Sequence, residues 1–155
     1  MCFCVLNKVI VKINELGARM NFIDKAFMDI DYGQGFLYAL KKGIEDNPEV
    51  RDELNKYPEW VEVVVSVIDY EMDYNQNGLQ PRSYKKEAEA LKKCHLKDEA
   101  EILLQISEMS TSEDLREMEE QLYLERDEDI FWETLFGYID GGLWNYHNPD
   151  DQYDL

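Results

Sequence analysis

The chain has 155 residues, with 34 acidic side chains against 16 basic ones and a formal net charge of −18. At ~100–200 residues per domain this is the length of one domain. Its 45% apolar content, 12% aromatics included, is enough for a core and excludes wholesale disorder. The acidity repels a phosphate backbone, so direct nucleic-acid binding is disfavoured. No run approaches the ~18–20 apolar residues of a membrane span. The stretch from Met1 to Ile13 is apolar, but it carries Lys8 and Lys12 internally and lacks a small-residue cleavage site, unlike a signal peptide. Cys2, Cys4 and Cys94 are an odd number at spacings that do not suit a disulfide framework, which predicts a reducing, cytoplasmic setting.

In chain order, Val5, Leu6, Val9, Ile10 and Ile13 recur at helical spacing, with a strand as the alternative and Gly17 as the stop. Met20, Ile23, Ala26, Phe27 and Ile30 predict a second helix. A turn over Asp31–Gly35 leads into a third, carrying Phe36, Leu37, Leu40 and Ile44. Asn47-Pro48 reads as an N-cap followed by proline at the first helical position. From Tyr57-Pro58 a longer helix follows, with Trp60, Val61, Val64, Val65, Ile68 and Met72 on one face and Glu62, Asp69 and Asp73 opposite. The run Val63–Val67 also fits a buried strand, but length and period favour helix. Asn75-Gln76-Asn77-Gly78 and Pro81 break the chain, and Ser83 is placed to cap the next helix, which carries Ala88 and Leu91. Leu96, Ala100, Leu103 and Leu104 describe another. Ser110 and Glu113 fit a capping box ahead of a helix with Leu115, Met118 and Leu122 inside. A last helix is predicted from about Asp127 to Ile139, ended by Gly141-Gly142, with residues 148–155 as a solvated acidic tail. The expectation is an all-α single domain over residues 1–147, a bundle of about seven or eight helices.

Catalytic and metal-binding patterns are hard to assemble. Cys2-Phe3-Cys4 and Cys94-His95 could supply four zinc ligands, but Cys-x-Cys is poor zinc spacing. His147 lies among aromatic and polar residues near the end and reads as a surface residue. No nucleophile–base–orienter set emerges from two histidines, and neither Gly33-Gln34-Gly35 nor Gly141-Gly142 completes a phosphate loop. Asp73-Tyr74-Asn75-Gln76-Asn77-Gly78 opens like a calcium loop, yet Tyr84 stands where the closing Glu belongs. No catalytic residue, cofactor or metal is assigned.

Charge distribution is more informative. Residues 1–58 carry a net of −1, residues 59–80 a net of −5, residues 81–97 a net of +4, and residues 98–155 a net of −16 with only Arg116 and Arg126 as bases. Concentrating like charge costs stability, so it asks for a reason. Glu113, Glu117 and Glu120 fall on one face of the predicted helix, and Asp127, Glu128 and Asp129 cluster at the next junction. Such rows can mimic backbone phosphates toward a basic protein, provided a second row or a dimer supplies enough charge. Glu62, Asp69 and Asp73 would support them. Trp132, Tyr138, Trp144 and Tyr146 are candidate apolar anchors, or core.

Three segments carry a resemblance. Trp60–Glu71 followed by Asn77-Gly78-Leu79-Gln80 resembles a helix ending in an acid-then-Asn-Gly-Gly-Phe turn, with Leu79 in place of the aromatic. Glu87–Leu91 through Asp98–Leu103 resembles a pair of short helices. Leu115-Arg116-Glu117-Met118, Leu122-Tyr123 and Tyr138-Ile139 resemble a C-terminal Leu, aromatic and Tyr-Ile pattern. Together, over about half the chain, they are similar to a family of small acidic all-helical bacterial proteins, a domain family without assigned function typified by a DNA-mimic protein. The resemblance implies a helical fold, homodimerisation, and binding to a basic DNA-binding partner such as a transcription factor.

The leading expectation is therefore a non-catalytic inhibitor that occupies the basic nucleic-acid-binding surface of another protein. An immunity or anti-defence protein blocking one cognate toxin or nuclease is the alternative. A metal-dependent enzyme built on Cys94, His95 and scattered carboxylates is the third reading.

Overall fold

The computed structural model describes residues 20–108 and 112–155, with Ser112 and Glu113 described by backbone alone. The predicted element around Val5–Ile13, its stop at Gly17, Cys2 and Cys4, and the Ser110–Glu113 capping box lie outside the described residues or side chains. The described chain is all-α, as expected, with no strand among the described residues. In order come α1 (Phe22–Asp29), α2 (Gly33–Asp46), a 3₁₀ segment (Pro48–Lys56), α3 (Glu59–Asn77), α4 (Lys85–Lys93), α5 (Lys97–Ser107), α6 (Ser112–Glu125) and α7 (Glu128–His147).

Asn21 starts α1 with a capping box. Its side chain accepts from the Ile23 and Asp24 N–H groups, and Asp24 accepts from the Asn21 N–H at 3.1 Å. The helix buries Ile23, Ala26 and Phe27, and the Phe27 ring meets Phe36 and Trp60 edge-on. The central element is α3. It touches α2, the 3₁₀ segment, α4 and α7, and buries Trp60, Val61, Val63, Val64, Val65, Val67, Ile68 and Tyr70. Burial on nearly every side explains how a valine-rich run stays helical, since packing outweighs the few tenths of a kcal/mol per residue that β-branching costs. On one side of α3 lie α1, α2 and α7. On the other, α4 pairs with α5, and α6 docks on α5.

Several boundaries differ from expectation, each for a local reason. Helix α3 continues through Asn75 and Asn77, and Gly78 (φ 65°) stops it, so the calcium-loop pattern is helix rather than loop. Ser83 does not cap α4. Tyr84 stands at that position, buried, donating its N–H to Ser107 Oγ at 2.7 Å and accepting from the Gln80 N–H at 2.7 Å. Pro48 opens a 3₁₀ segment rather than an α-helix. Helix α7 runs through Gly141-Gly142 to His147. Gly142 lies against Trp60, whose ring would collide with a Cβ, so this glycine serves close helix packing rather than termination. The tail is exposed over residues 149–155 yet folds back along α7, with Trp144 Nε1 donating to the Asp151 carbonyl and Asn145 Nδ2 to the Tyr153 carbonyl, both at 2.9 Å.

Candidate acidic binding site

The face begins with how α6 is held. Leu115, Met118 and Leu122 recur at 3–4 spacing and are buried, turning the intervening residues outward. Glu117 and Glu120 are exposed, and Glu120 lies 3.4 Å from the equally exposed Arg116. At the junction Asp127 caps α7, accepting from the Ile130 N–H at 3.1 Å. Glu128 accepts from Trp132 Nε1 at 3.1 Å, and Asp129 is exposed with no ion pair among the described residues. The backbone of Glu113 belongs to the same helix. These residues form one acidic run along α6 and its junction with α7.

The supporting acids of α3 do not join it as bare charges. Arg51 grips Asp69 with both Nε (3.0 Å) and Nη2 (2.6 Å), and Arg82 pairs with Asp73 at 3.4 Å. Glu62 is exposed, but it sits about 16 Å along α3 from Asp73. The pairing arginines lie 18 and 9 residues away in sequence, beyond what local charge patterning shows.

Of the apolar side chains the sequence offered, Tyr138 is buried and Trp132 is half-buried beside Phe131 and Phe136, whereas Trp144, tied to the tail, and Tyr146, packed on Phe27, are 43% and 49% exposed. Tyr123 and Leu124, which it did not offer, are 78% and 80% exposed within the acidic run, and Ile130 is exposed at its junction. Tyr123 and Leu124 line a shallow depression with Tyr74, Glu119 and Glu120.

Behind this surface lies a cluster that sequence reasoning missed. The Arg126 side chain is 6% exposed, and it reaches Glu71 of α3, Glu99 of α5 at 3.4 Å, and Glu128 of α7 at 3.4 Å. Glu71 and Glu99 are each only 7% exposed. Tyr70 donates its hydroxyl to Glu99 at 2.6 Å, and the Phe131 ring lies 3.9 Å under the guanidinium. Burial pushes the Glu71 carboxyl up to about 7 against the pull of Arg126, and raises Glu99 as well. One signal was available: Glu71 follows Ile68 by three residues, on a buried stripe of α3. Because Arg126 is spent inside, Arg116 is the only exposed Lys or Arg side chain after residue 97.

Cys94 is fully buried, and burial pushes its thiol up to about 12, far from the thiolate a metal needs. His95 follows α4 in the left-handed region (φ 68°). Among the described residues no three His, Cys, Asp or Glu side chains are grouped to hold a metal ion, and no helix is long and apolar enough to cross a membrane.

Compared with family models, curated proteins and solved structures, the chain matches none. The likeness to the acidic helical family therefore rests on the residues quoted above alone.

Proposed function

We propose that the chain is a non-catalytic, cytoplasmic protein-binding inhibitor whose α6–α7 face occupies the basic, nucleic-acid-binding surface of a partner. The observation that carries this reading is the inward turn of Arg126. It leaves Arg116 as the sole exposed Lys or Arg among 18 acidic residues from residue 98 onward. A surface so one-sided steers a Lys/Arg-lined groove from a distance, and its grip weakens with salt. Glu113, Glu117, Glu120, Asp127, Glu128 and Asp129 act collectively.

The test is retention of basic DNA- or RNA-binding proteins from lysate on the immobilised chain, beside a variant carrying Glu113→Lys, Glu117→Lys and Glu120→Lys. The wild type is expected to hold such proteins until moderate salt and to release them to duplex DNA, while the variant holds none. Equal retention by both would reject this face. Exposed Tyr123 and Leu124 favour a second reading, a dedicated inhibitor of one toxin or nuclease with an apolar anchor. It predicts a single partner that resists high salt.

A further inference from the structure

The last turns of α7 hold residues 149–155 in the manner of a bound peptide. The Asn145 amide grips both backbone groups of Tyr153: its Nδ2 donates to the Tyr153 carbonyl at 2.9 Å, and its Oδ1 accepts from the Tyr153 N–H at 2.6 Å. In extended chain the N–H and C=O of one residue point the same way, so the amide reproduces the paired bonds of a neighbouring strand. The Tyr153 ring meets Trp144 edge-on, and Leu155 lies over Gly141, where a Cβ would strike its side chain. Side chains two apart in an extended segment share a side, and Gly141 and Trp144, three apart in α7, share a face. The backbone is thus gripped whatever its sequence, and specificity falls on an aromatic residue and an aliphatic one two places later.

The tail fills this seat loosely. Tyr153 remains 62% exposed and Leu155 39%. Two cavities of about 480 Å³ each share Leu155 and Tyr138 as lining, one reaching Trp60 and Lys93, the other His95 and Thr134. The tail also brings unfavourable charge. Asp150, Asp151 and Asp154 have no ion pair among the described residues, within a region of net −16. A segment with few buried contacts and unrelieved repulsion opens at little cost. A segment with the same two side chains and without those acids would fit the seat better than the tail does.

We propose that the Gly141–Trp144–Asn145 stripe of α7 is a groove for an extended peptide segment of a partner protein. That segment carries an aromatic residue, an aliphatic one two places later, and none of the tail's acids. Residues 149–155 occupy the groove until such a segment displaces them. The inference is independent of the acidic face, since Trp144 lies about 24 Å along α7 from Glu128.

The test follows the Trp144 indole N–H by NMR in the isotope-labelled full chain. The probe is the blocked peptide Asn-Asn-Gln-Tyr-Asn-Leu, an uncharged copy of residues 150–155. It is titrated into wild type and into a variant of the full chain with Tyr153→Ser and Leu155→Ser, both exposed positions that folding tolerates. The peptide is expected to bind this variant about tenfold tighter than wild type, as for a tail seated about nine-tenths of the time. Adding Asn145→Ala to the variant is expected to weaken binding about fivefold. A control peptide with serine in place of its tyrosine and leucine is expected not to bind. No binding to the tail variant, binding unchanged by Asn145→Ala, or equal binding of the control peptide would overturn the groove. Equal affinity for wild type and the tail variant would overturn the tail as its occupant. Because the probe is uncharged, none of these outcomes bears on the capture of basic proteins, and the two readings fail separately.

Discussion

Arg126 is a charge that water barely reaches, and its neighbours set both its cost and its use. Moving an ion from water into a protein interior is expensive, and only close counter-charges offset it. Here three carboxylates do so, tying α3, α5 and the α6–α7 junction together. Arg126→Met should therefore cost more than the lost contacts, because it strands Glu71 and Glu99 in the interior. A loss of about 3–5 kcal/mol in urea unfolding at neutral pH is expected. Glu71 also makes stability depend on pH. Its carboxyl holds a proton up to about 7 in the folded chain against an ordinary 4.5, chiefly through burial. Between those values the folded chain binds more protons than the unfolded chain, so stability falls as pH rises through that window. Below it the penalty is absent, and above it the penalty is complete. Glu71→Gln should flatten this fall, leaving the smaller slope from Glu99, which shifts in the same direction. Urea titrations from about pH 5 to pH 7.5 check it, and identical slopes for wild type and variant would remove Glu71 from the account.

At the scale of elements, glycine is where sequence and structure parted most instructively. Gly141-Gly142 reads as a helix stop because glycine favours C-caps, yet α7 passes through it. The reason is tertiary: Trp60 of α3 rests where a Gly142 Cβ would stand. Gly137, on the same helix, has open space around it. The two glycines should therefore respond oppositely to alanine. Gly142→Ala should destabilise by about 1–3 kcal/mol through overpacking, whereas Gly137→Ala should stabilise by up to ~1 kcal/mol through helix propensity. Thermal unfolding of both variants measures this, and a shared sign would refute the packing argument. Elsewhere the elements were legible wherever one helix carried its own pattern. Leu115, Met118 and Leu122 announce the buried stripe of α6, and Asp127 announces the start of α7. Partners remote in sequence were not legible. Arg126 finds Glu71 across 55 residues, and Arg51 finds Asp69 across 18, and neither spacing leaves a local trace. The acidic run was visible as composition. Which acids are bare and which are paired depended on those distant arginines.

Across the whole molecule, the charge imbalance sets stability against binding. A net of −18, with −16 of it after residue 97, makes the α6–α7 region repel itself. Salt shortens the reach of that repulsion, from ~10 Å at 0.1 M to ~3 Å at 1 M. Wild-type Tm at neutral pH should therefore rise with added sodium chloride, opposite to what a fold held by surface ion pairs would show. Glu117→Lys with Asp129→Lys places two cations among bare carboxylates, so at low salt it should raise Tm above wild type. The gain should shrink toward zero near about 0.5 M salt, where screening has already relieved the repulsion. The same pair of changes is expected to weaken capture of basic proteins, so one surface would lower stability and supply affinity at once. That opposition separates a binding face from a solubilising one, because an acidic surface kept only for solubility has no affinity to lose. If the double variant is more stable yet holds basic proteins as firmly as wild type, the acidic run serves solubility, and the binding site lies elsewhere on the molecule.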